Sequence, residues 1–308
     1  MVGDLVADIG FAPLKILPWN NNIVALGVDG EVAILDAQGN RIQDIVTPFP
    51  CKITHACILN DLLIGTWLDY DLLIGRMAAI DLSKKLEKGP SKSEVRKSMA
   101  QSSKELHPQG SIWSHSLNAD VLGMTTIDNS IVFALWKRGL YKLSDTAEEV
   151  WRAPLPSWPT LQNIPQGEQI ISIHGIEDSI LLISKGGGIA EFSKVDGRLL
   201  SSGILMENCS LSRHFYLDGK HLCITSNHKA CWIQDGKTVQ EHQLKGPVQD
   251  AHWDENSQHW SIAGWREYLQ LGANEVVSHH VDDVCNSIWQ TEERCSIIFN
   301  DGRIYSHE

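Results

Sequence analysis

The stretch VQDAHWDENSQHWSIAGWREYLQLGANEVV, residues 248 to 277, decides the fold. Residues 248 to 253 read as a short strand with alternating apolar positions, closed by a polar turn from Asp254 to Gln258. A second strand follows from His259 to Ala263, a tight turn spans Gly264 to Glu267, and a third strand covers Tyr268 to Leu271. Gly272-Ala273-Asn274 then reverses the chain into a fourth. Period-two apolar runs separated by Gly, Asn and Asp are hairpin signals, and three in succession make a four-stranded meander.

The second strand of this unit has relatives along the whole chain. They start near Ile23 (IVALGV), Leu62 (LLIGTW), Ile131 (IVFALW), Ile180 (ILLISK), His221 (HLCITS), His259 (HWSIAG) and Arg294 (RCSIIF). The intervals are 39, 69, 49, 41, 38 and 35 residues. Apart from the second, they match the length of one four-stranded propeller blade. Acidic or amide turns precede these strands, as in Asn60-Asp61, Asp128-Asn129 and Asp218-Gly219-Lys220, and such residues tolerate the conformations of tight turns. Further turns and third strands follow, including Asp29-Gly30 before EVAILD, Gly186-Gly187-Gly188 before IAEFS and Asp301-Gly302 before RIYSH.

The last unit ends after its third strand, whereas a spare strand, Asp4 to Phe11, precedes the first unit. A ring left open would expose two sheet edges. Residues 1–12 are therefore expected to supply the outer strand of the last blade. The expected fold is an all-β, seven-bladed β-propeller of four-stranded antiparallel blades, one domain over 1–308, closed by the N-terminal strand.

The long interval holds an insertion, residues 83–110, with seven Lys or Arg against three Glu. It carries +4 on a chain of net charge −12, leaving −16 for the remainder. Without aromatics and rich in Ser, Lys and Gln, it reads as a mobile loop with one helix over Ser93 to Leu106. Its two readings are a solvated loop and a basic arm for an acidic partner or nucleic acid. Residues 154–167, with four prolines, read as an extended surface crossing between blades.

Composition bounds the function. A hydrophobic fraction of 43% supports a sizeable core, and no apolar run approaches the length of a membrane span. The N-terminal residues MVGDLVADIG lack the pattern of a secretory leader, so a soluble, cytoplasmic protein is expected. Seven cysteines without a CxxC pair, several inside predicted strands, read as buried thiols rather than a disulfide framework or zinc site. The acidic net charge argues against general nucleic-acid affinity.

In architecture the chain resembles the seven-bladed propellers of the WD-repeat type. The copy at 248–271 carries the resemblance: Trp253 closes a first strand, and Gly264 precedes a third. The family's Gly-His opening is absent and no third strand closes with Trp-Asp, Cys231-Trp232-Ile233 being the nearest echo. The resemblance therefore implies blade geometry and leaves the family's Asp-His-Ser/Thr-Trp hydrogen-bond ladder unassigned.

Four histidines, His55, His174, His214 and His252, lie six or seven residues before their second strands. First strands line the channel of a propeller, so these imidazoles are channel candidates for an acid–base or metal site; their alternative role is structural hydrogen bonding. No GxSxG, GxGxxG, P-loop or HExxH pattern is present. His279-His280-Val281-Asp282-Asp283 reads as a loop before the final blade. Of eleven tryptophans, Trp253, Trp260 and Trp289 read as packing between blades, while Trp136-Lys137-Arg138 and Trp265-Arg266 occupy turns between second and third strands. Trp and Arg are enriched in binding hot spots. With Tyr70 in the matching turn of the second blade, Tyr70, Trp136, Lys137, Arg138, Trp265 and Arg266 form the candidate partner-binding set.

Three functional readings follow. The first is a non-catalytic protein-interaction scaffold or accessory subunit of a larger complex, with no cofactor or metal. The second is a propeller enzyme using the channel histidines, and the third is an accessory subunit of an RNA-associated complex, using insertion 83–110. Nothing in the sequence fixes an oligomeric state.

Overall fold

The computed structural model describes residues 2–101, 105–291 and 295–307. Seven antiparallel sheets follow one another along the chain, and the protein is a seven-bladed β-propeller. After β1 (Val2–Asp8), the first blade comprises β2 (Pro13–Trp19), β3 (Asn22–Gly27) and β4 (Val32–Leu35). The second comprises β5 (Lys52–Leu59), β6 (Leu62–Asp69) and β7 (Ile74–Asp81), then helix α1 (Lys92–Ala100) and β8 (Ser111–Ser116). The third has β9 (Val121–Ile127), β10 (Ser130–Leu135), β11 (Gly139–Ser144) and β12 (Glu149–Ala153). The fourth has β13 (Ile170–Ile176), β14 (Ser179–Ser184), β15 (Gly188–Ser193) and β16 (Leu199–Ile204). The fifth has β17 (Leu211–Leu217), β18 (Lys220–Thr225), β19 (Lys229–Gln234) and β20 (Lys237–Gln243). The sixth has β21 (Val248–Asp254), β22 (His259–Gly264), β23 (Glu267–Gly272) and β24 (Val276–His280). The seventh has β25 (Cys285–Gln290), β26 (Cys295–Phe299) and β27 (Arg303–His307).

The spare strand closes the ring. The last sheet runs β1-β27-β26-β25, so β1 is its outer strand. It occupies Val2–Asp8, earlier than the expected Asp4 to Phe11, because Gly10 turns the chain in the left-handed region at φ 90° and Ile9 is fully buried. The second strands begin within one residue of the expected positions; the expected start at Arg294 and residues 292 and 293 of the turn before it lie outside the described residues. Blade one is three-stranded. In place of a fourth strand, residues 36–51 make two isolated bridges to β4, Leu35 with Arg41 and Val32 with Val46.

By internal contacts the chain forms two compact units, one from Ala7 to Val150 and the other from Trp151 onward together with the residues up to Val6. Each unit's core lies between neighbouring sheets. In the first, Val24, Val32 and Ile34 of blade one meet Trp67, Ala78 and Ile80 of blade two. In the second, Trp232 of blade five packs at a tilt against Trp253 of blade six, with Trp260 edge-on beside it. Trp253, Trp260 and Trp289 are all buried.

The insertion is anchored at a few apolar points, while most of its described residues are exposed. Helix α1 has a capping box at Ser91 and Glu94 and buries Val95, which joins Leu86 and the partly buried Leu72 and Leu106 in the first unit's core. Gly89 lies against Pro48: a Cβ there would sit 1.8 Å from the Pro48 carbonyl oxygen. Arg76, 9% exposed, pairs with Glu105. The expected helix over Ser93 to Leu106 starts one residue earlier and ends at Ala100; residues 102–104 lie outside the described residues.

Two other expected loops prove ordered by packing. In segment 154–167, Trp158 and Leu161 are buried around a short 3-10 turn, Pro159–Leu161. The Trp158 indole donates to the Ile189 carbonyl at 3.2 Å, and its ring fills the space a Cβ at Gly188 would need. His279 and His280 end strand β24, and Val281 is buried rather than part of an open loop.

Candidate interaction site

In every blade the first strand slips register by one residue near its start. The skipped residues are Leu14, Thr54, Leu122, Ile171, Ser212, Gln249 and Asn286. A bulge adds twist and re-aims the residue that follows it. Lys15, Ser172, Arg213 and Asp250 among these following residues bond into the next blade, Arg213 by donating to Gln249 Oε1 at 3.5 Å. Lys15 Nζ donates to the Ala56 carbonyl at 2.8 Å, the Ser172 hydroxyl lies 3.1 Å from His214 Nδ1, and Asp250 Oδ2 accepts from the Ile288 amide at 3.0 Å.

Aligned on this slip, the four candidate histidines stand at different levels. His55 follows the skipped residue directly, His214 comes one position later, and His174 and His252 two positions later. Because neighbours in a strand point to opposite faces, His174 of blade four and His214 of blade five face one another. His174 Nε2 lies 3.1 Å from His214 Nδ1, and His214 Nε2 lies 3.1 Å from His221 Nδ1. Tyr216 packs on both His174 and His221. Each neutral imidazole offers one donor and one acceptor, so His214 can link His174 to His221 in either tautomer, while the Ser172 hydroxyl shares the single position at His214 Nδ1 with His174.

The sequence marks His221 only as a strand start. It belongs here because its partner across the hairpin is Tyr216, two residues from His214. Burial pulls the histidines down: His174 and His221 fall to about 4, and His214 lies well below its ordinary range. All three are neutral at pH 7 and fill the seam between blades four and five.

His252 has a different setting. Burial lowers its basicity, but the Asp250 carboxylate, 3.3 Å away, more than offsets this and raises it. His55 lies in the other unit, where its backbone amide donates to Thr66 Oγ1 at 3.0 Å. Among the described residues, no three His, Cys, Asp or Glu side chains are placed to hold a metal ion. All seven cysteines are free thiols, and burial pushes Cys57 and Cys285 up to about 12.

The six partner-binding candidates lie in turns between second and third strands. In the first unit, Tyr70 is 69% exposed, Leu73 87% and Trp136 38%. Asp120 joins two of these turns. Its carboxylate accepts from the Tyr70 hydroxyl at 3.1 Å, and its carbonyl accepts from the Trp136 amide at 2.8 Å. Desolvation, then the bond to Asp120, raises the Tyr70 phenol above its usual range. Lys137 lies 5.4 Å from the Trp136 ring centroid, and Arg138 is exposed beside it. The insertion reaches the same turn face: Lys92 pairs with Asp69 at 2.6 Å.

In the second unit Trp265 is half exposed. Its amide donates to the Pro247 carbonyl at 3.1 Å, and its Cβ covers Gly246 so closely that a side chain there would meet it at 2.6 Å. The carbonyl of exposed Arg266 accepts from the Val281 amide at 3.2 Å and from His280 Nδ1 at 3.1 Å. Lys137 and Arg266 share an uncommon backbone, with φ of 53° and 55°. The comparable turns of blades one, four and seven place Gly30, Gly187 and Gly302 in the left-handed region. Thus a Trp followed by a strained cation is built twice, in blades three and six.

No protein-family model matches the sequence, and no curated protein matches it. Solved structures do. The propeller domain of Cps50 (Swd1) from Myceliophteria thermophila is 12% identical, with a TM-score of 0.69, covering 99% of this chain and 98% of that one. The WD40 propeller domain of Doa1 is 10% identical, with a TM-score of 0.67, covering 100% and 97%. BamB from Moraxella catarrhalis is 11% identical, with a TM-score of 0.59, covering 99% and 83%. At these identities the likeness is one of fold. The chain is a seven-bladed propeller whose structural neighbours include WD40 domains, and among the described residues no helix is long and apolar enough to cross a membrane.

Proposed function

We propose that this propeller is a non-catalytic protein-binding scaffold whose partner docks on the turns carrying Tyr70, Leu73 and Trp136, with Lys137 and Arg138 beside them. The observation that carries the reading is the group of three exposed large apolar side chains on turns that Asp120 and the Lys92–Asp69 pair hold in place. Apolar groups left in water on rigid supports lose little conformational entropy on binding. Trp265 and Arg266 supply a second contact point of the same design.

Two basic side chains of the insertion, Lys84 and Lys92, are paired with acids of the propeller itself, Asp81 and Asp69. Its docking therefore favours a supporting role beside the protein-binding turns over nucleic-acid capture.

The test is affinity capture from the source cells with the wild type and with Trp136→Ala combined with Tyr70→Ala, followed by Kd measurement on recovered partners. Loss of two anchors should weaken the specific partner by about 2 kcal/mol or more, some thirtyfold. Equal recovery and equal Kd for both proteins would remove these turns from the interface.

A further inference from the structure

We infer that the opposite face of the first unit carries a second binding site, a recess for an organic anion with an apolar body. The recess exists because blade one lacks a complete fourth strand. Residues 43–45 lie between the Arg41 and Ile42 contacts to β4 and the bridge at Val46, and an open recess of about 820 Å³ is lined by this segment and Leu82–Lys85. Ligand pockets commonly fall at about 300–1,000 Å³. The lining comes from the turn between β2 and β3 and from the segments following β4 and β7, on the side of these hairpins away from the turns bearing Tyr70 and Trp136.

The walls are fixed before any ligand arrives. The Trp19 indole is held by Asp61 Oδ1 at 3.0 Å, and Gln43 Oε1 accepts from the Leu86 amide at 2.8 Å, tying this segment to the insertion. The Ile42 amide donates to the Ile34 carbonyl at 2.9 Å. Trp19, Ile34 and the half-exposed Ile42 give the recess an apolar side.

Charge selects the ligand. Arg41, Lys84 and Lys85 all line the recess, against Asp44 as its one lining acid. Lys84 is shared with Asp81 at 3.0 Å, whereas Arg41 and Lys85 make no ion pair among the described residues. Two uncommitted cations are thus gathered over an apolar wall on a chain of net charge −12. Arginine binds carboxylate and phosphate through a planar fork, and lysine adds a point charge. A phosphate or carboxylate attached to an aromatic or aliphatic body meets both features. The anion could belong to a free small molecule or to an acidic side chain beside an apolar one in a peptide.

The experiment is isothermal titration calorimetry of the full chain with inorganic phosphate, phenyl phosphate and a blocked Glu-Phe-Glu peptide. The expected result is that phenyl phosphate or the peptide binds at least about fivefold more tightly than inorganic phosphate, because the apolar body is buried as well. Phenyl phosphate binding alone would assign a small-molecule ligand, and peptide binding alone an acidic segment. Arg41→Glu and Lys85→Glu should each weaken binding at least about tenfold. Arg41→Gln, which keeps much of the side-chain bulk, should reproduce the loss if charge reversal disturbs folding. Trp136→Ala should leave this binding unchanged, which separates the recess from the protein-binding turns. Absence of binding by all three probes up to about 5 mM, or equal binding by wild type and the charge variants, would overturn the site.

Discussion

Acidification should open the seam between blades four and five, and the size of the effect follows from one imidazole. His174 titrates near an ordinary value of 6.5 in the unfolded chain and at about 4 in the fold. Its folded value is depressed, so the unfolded chain takes up the proton first. Folding stability is then complete above 6.5 and falls as pH drops from 6.5 toward 4. The full difference is worth about 3.4 kcal/mol, of which about 2 kcal/mol is lost by pH 5.

His221 moves in the same direction, but it keeps some exposure and contributes less after solvent screening. His214, between them, adds to the trend. His252 works against it. Its raised value means that the stability it provides is present below 6.5 and fades as pH rises through the folded value. Comparing wild type with His174→Gln isolates the seam, because the glutamine amide can still reach His214 Nδ1 but does not titrate. Urea unfolding at pH 7 and pH 5 is the assay. Wild type should lose about 2 kcal/mol more than the variant over that interval; equal losses would refute the assignment of a buried, neutral imidazole chain.

Two further expectations concern the docked insertion and the paired turns. Gly89→Ala would push a Cβ into the Pro48 carbonyl, so it should release the insertion and accelerate proteolysis between residues 83 and 101; unchanged cleavage would mean that the insertion is not held there. Lys137→Gly should relieve a left-handed backbone and stabilise the fold by up to about 1 kcal/mol in urea. The same change should weaken partner binding. A variant that gains stability and keeps full affinity would show that the turn's conformation serves no binding purpose.

The repeat was legible because its turns are written in residues that accept positive φ. Asn20, Asn60, Asp128, Asn129 and Asp218 all adopt it, which fixes each second strand to within a residue. The level of the histidines was not legible in the same way. Blade two crosses from first to second strand in two residues, Asn60 and Asp61, whereas blade six uses four, from Glu255 to Gln258. Counting back seven residues therefore reaches different rungs, and only the register slip aligns them.

The insertion misled for another reason. Its polar composition outweighs a handful of anchors, yet Leu86, Val95 and Leu106 are enough to dock it, and no period links them. The candidate turns were found from residue type alone. Their strained backbone and the bridging role of Asp120 arise from the fold and leave no mark in residue type.

The pairing of β1 with β27 also sets the order in which the molecule can be finished. Ser306 reaches the Asp4 carbonyl across 302 positions of sequence. Bringing such distant segments together costs about 5 kcal/mol of chain entropy, against a fraction of that for any hairpin within a blade. During synthesis the first strand emerges long before its partner exists and must wait without a template, while each intervening blade can form from its own neighbours. Sealing is therefore expected to be the last and slowest step. In the finished protein the same joint should be where hydrogen exchange enters first, with amides of β27 exchanging ahead of those of β18 or β22.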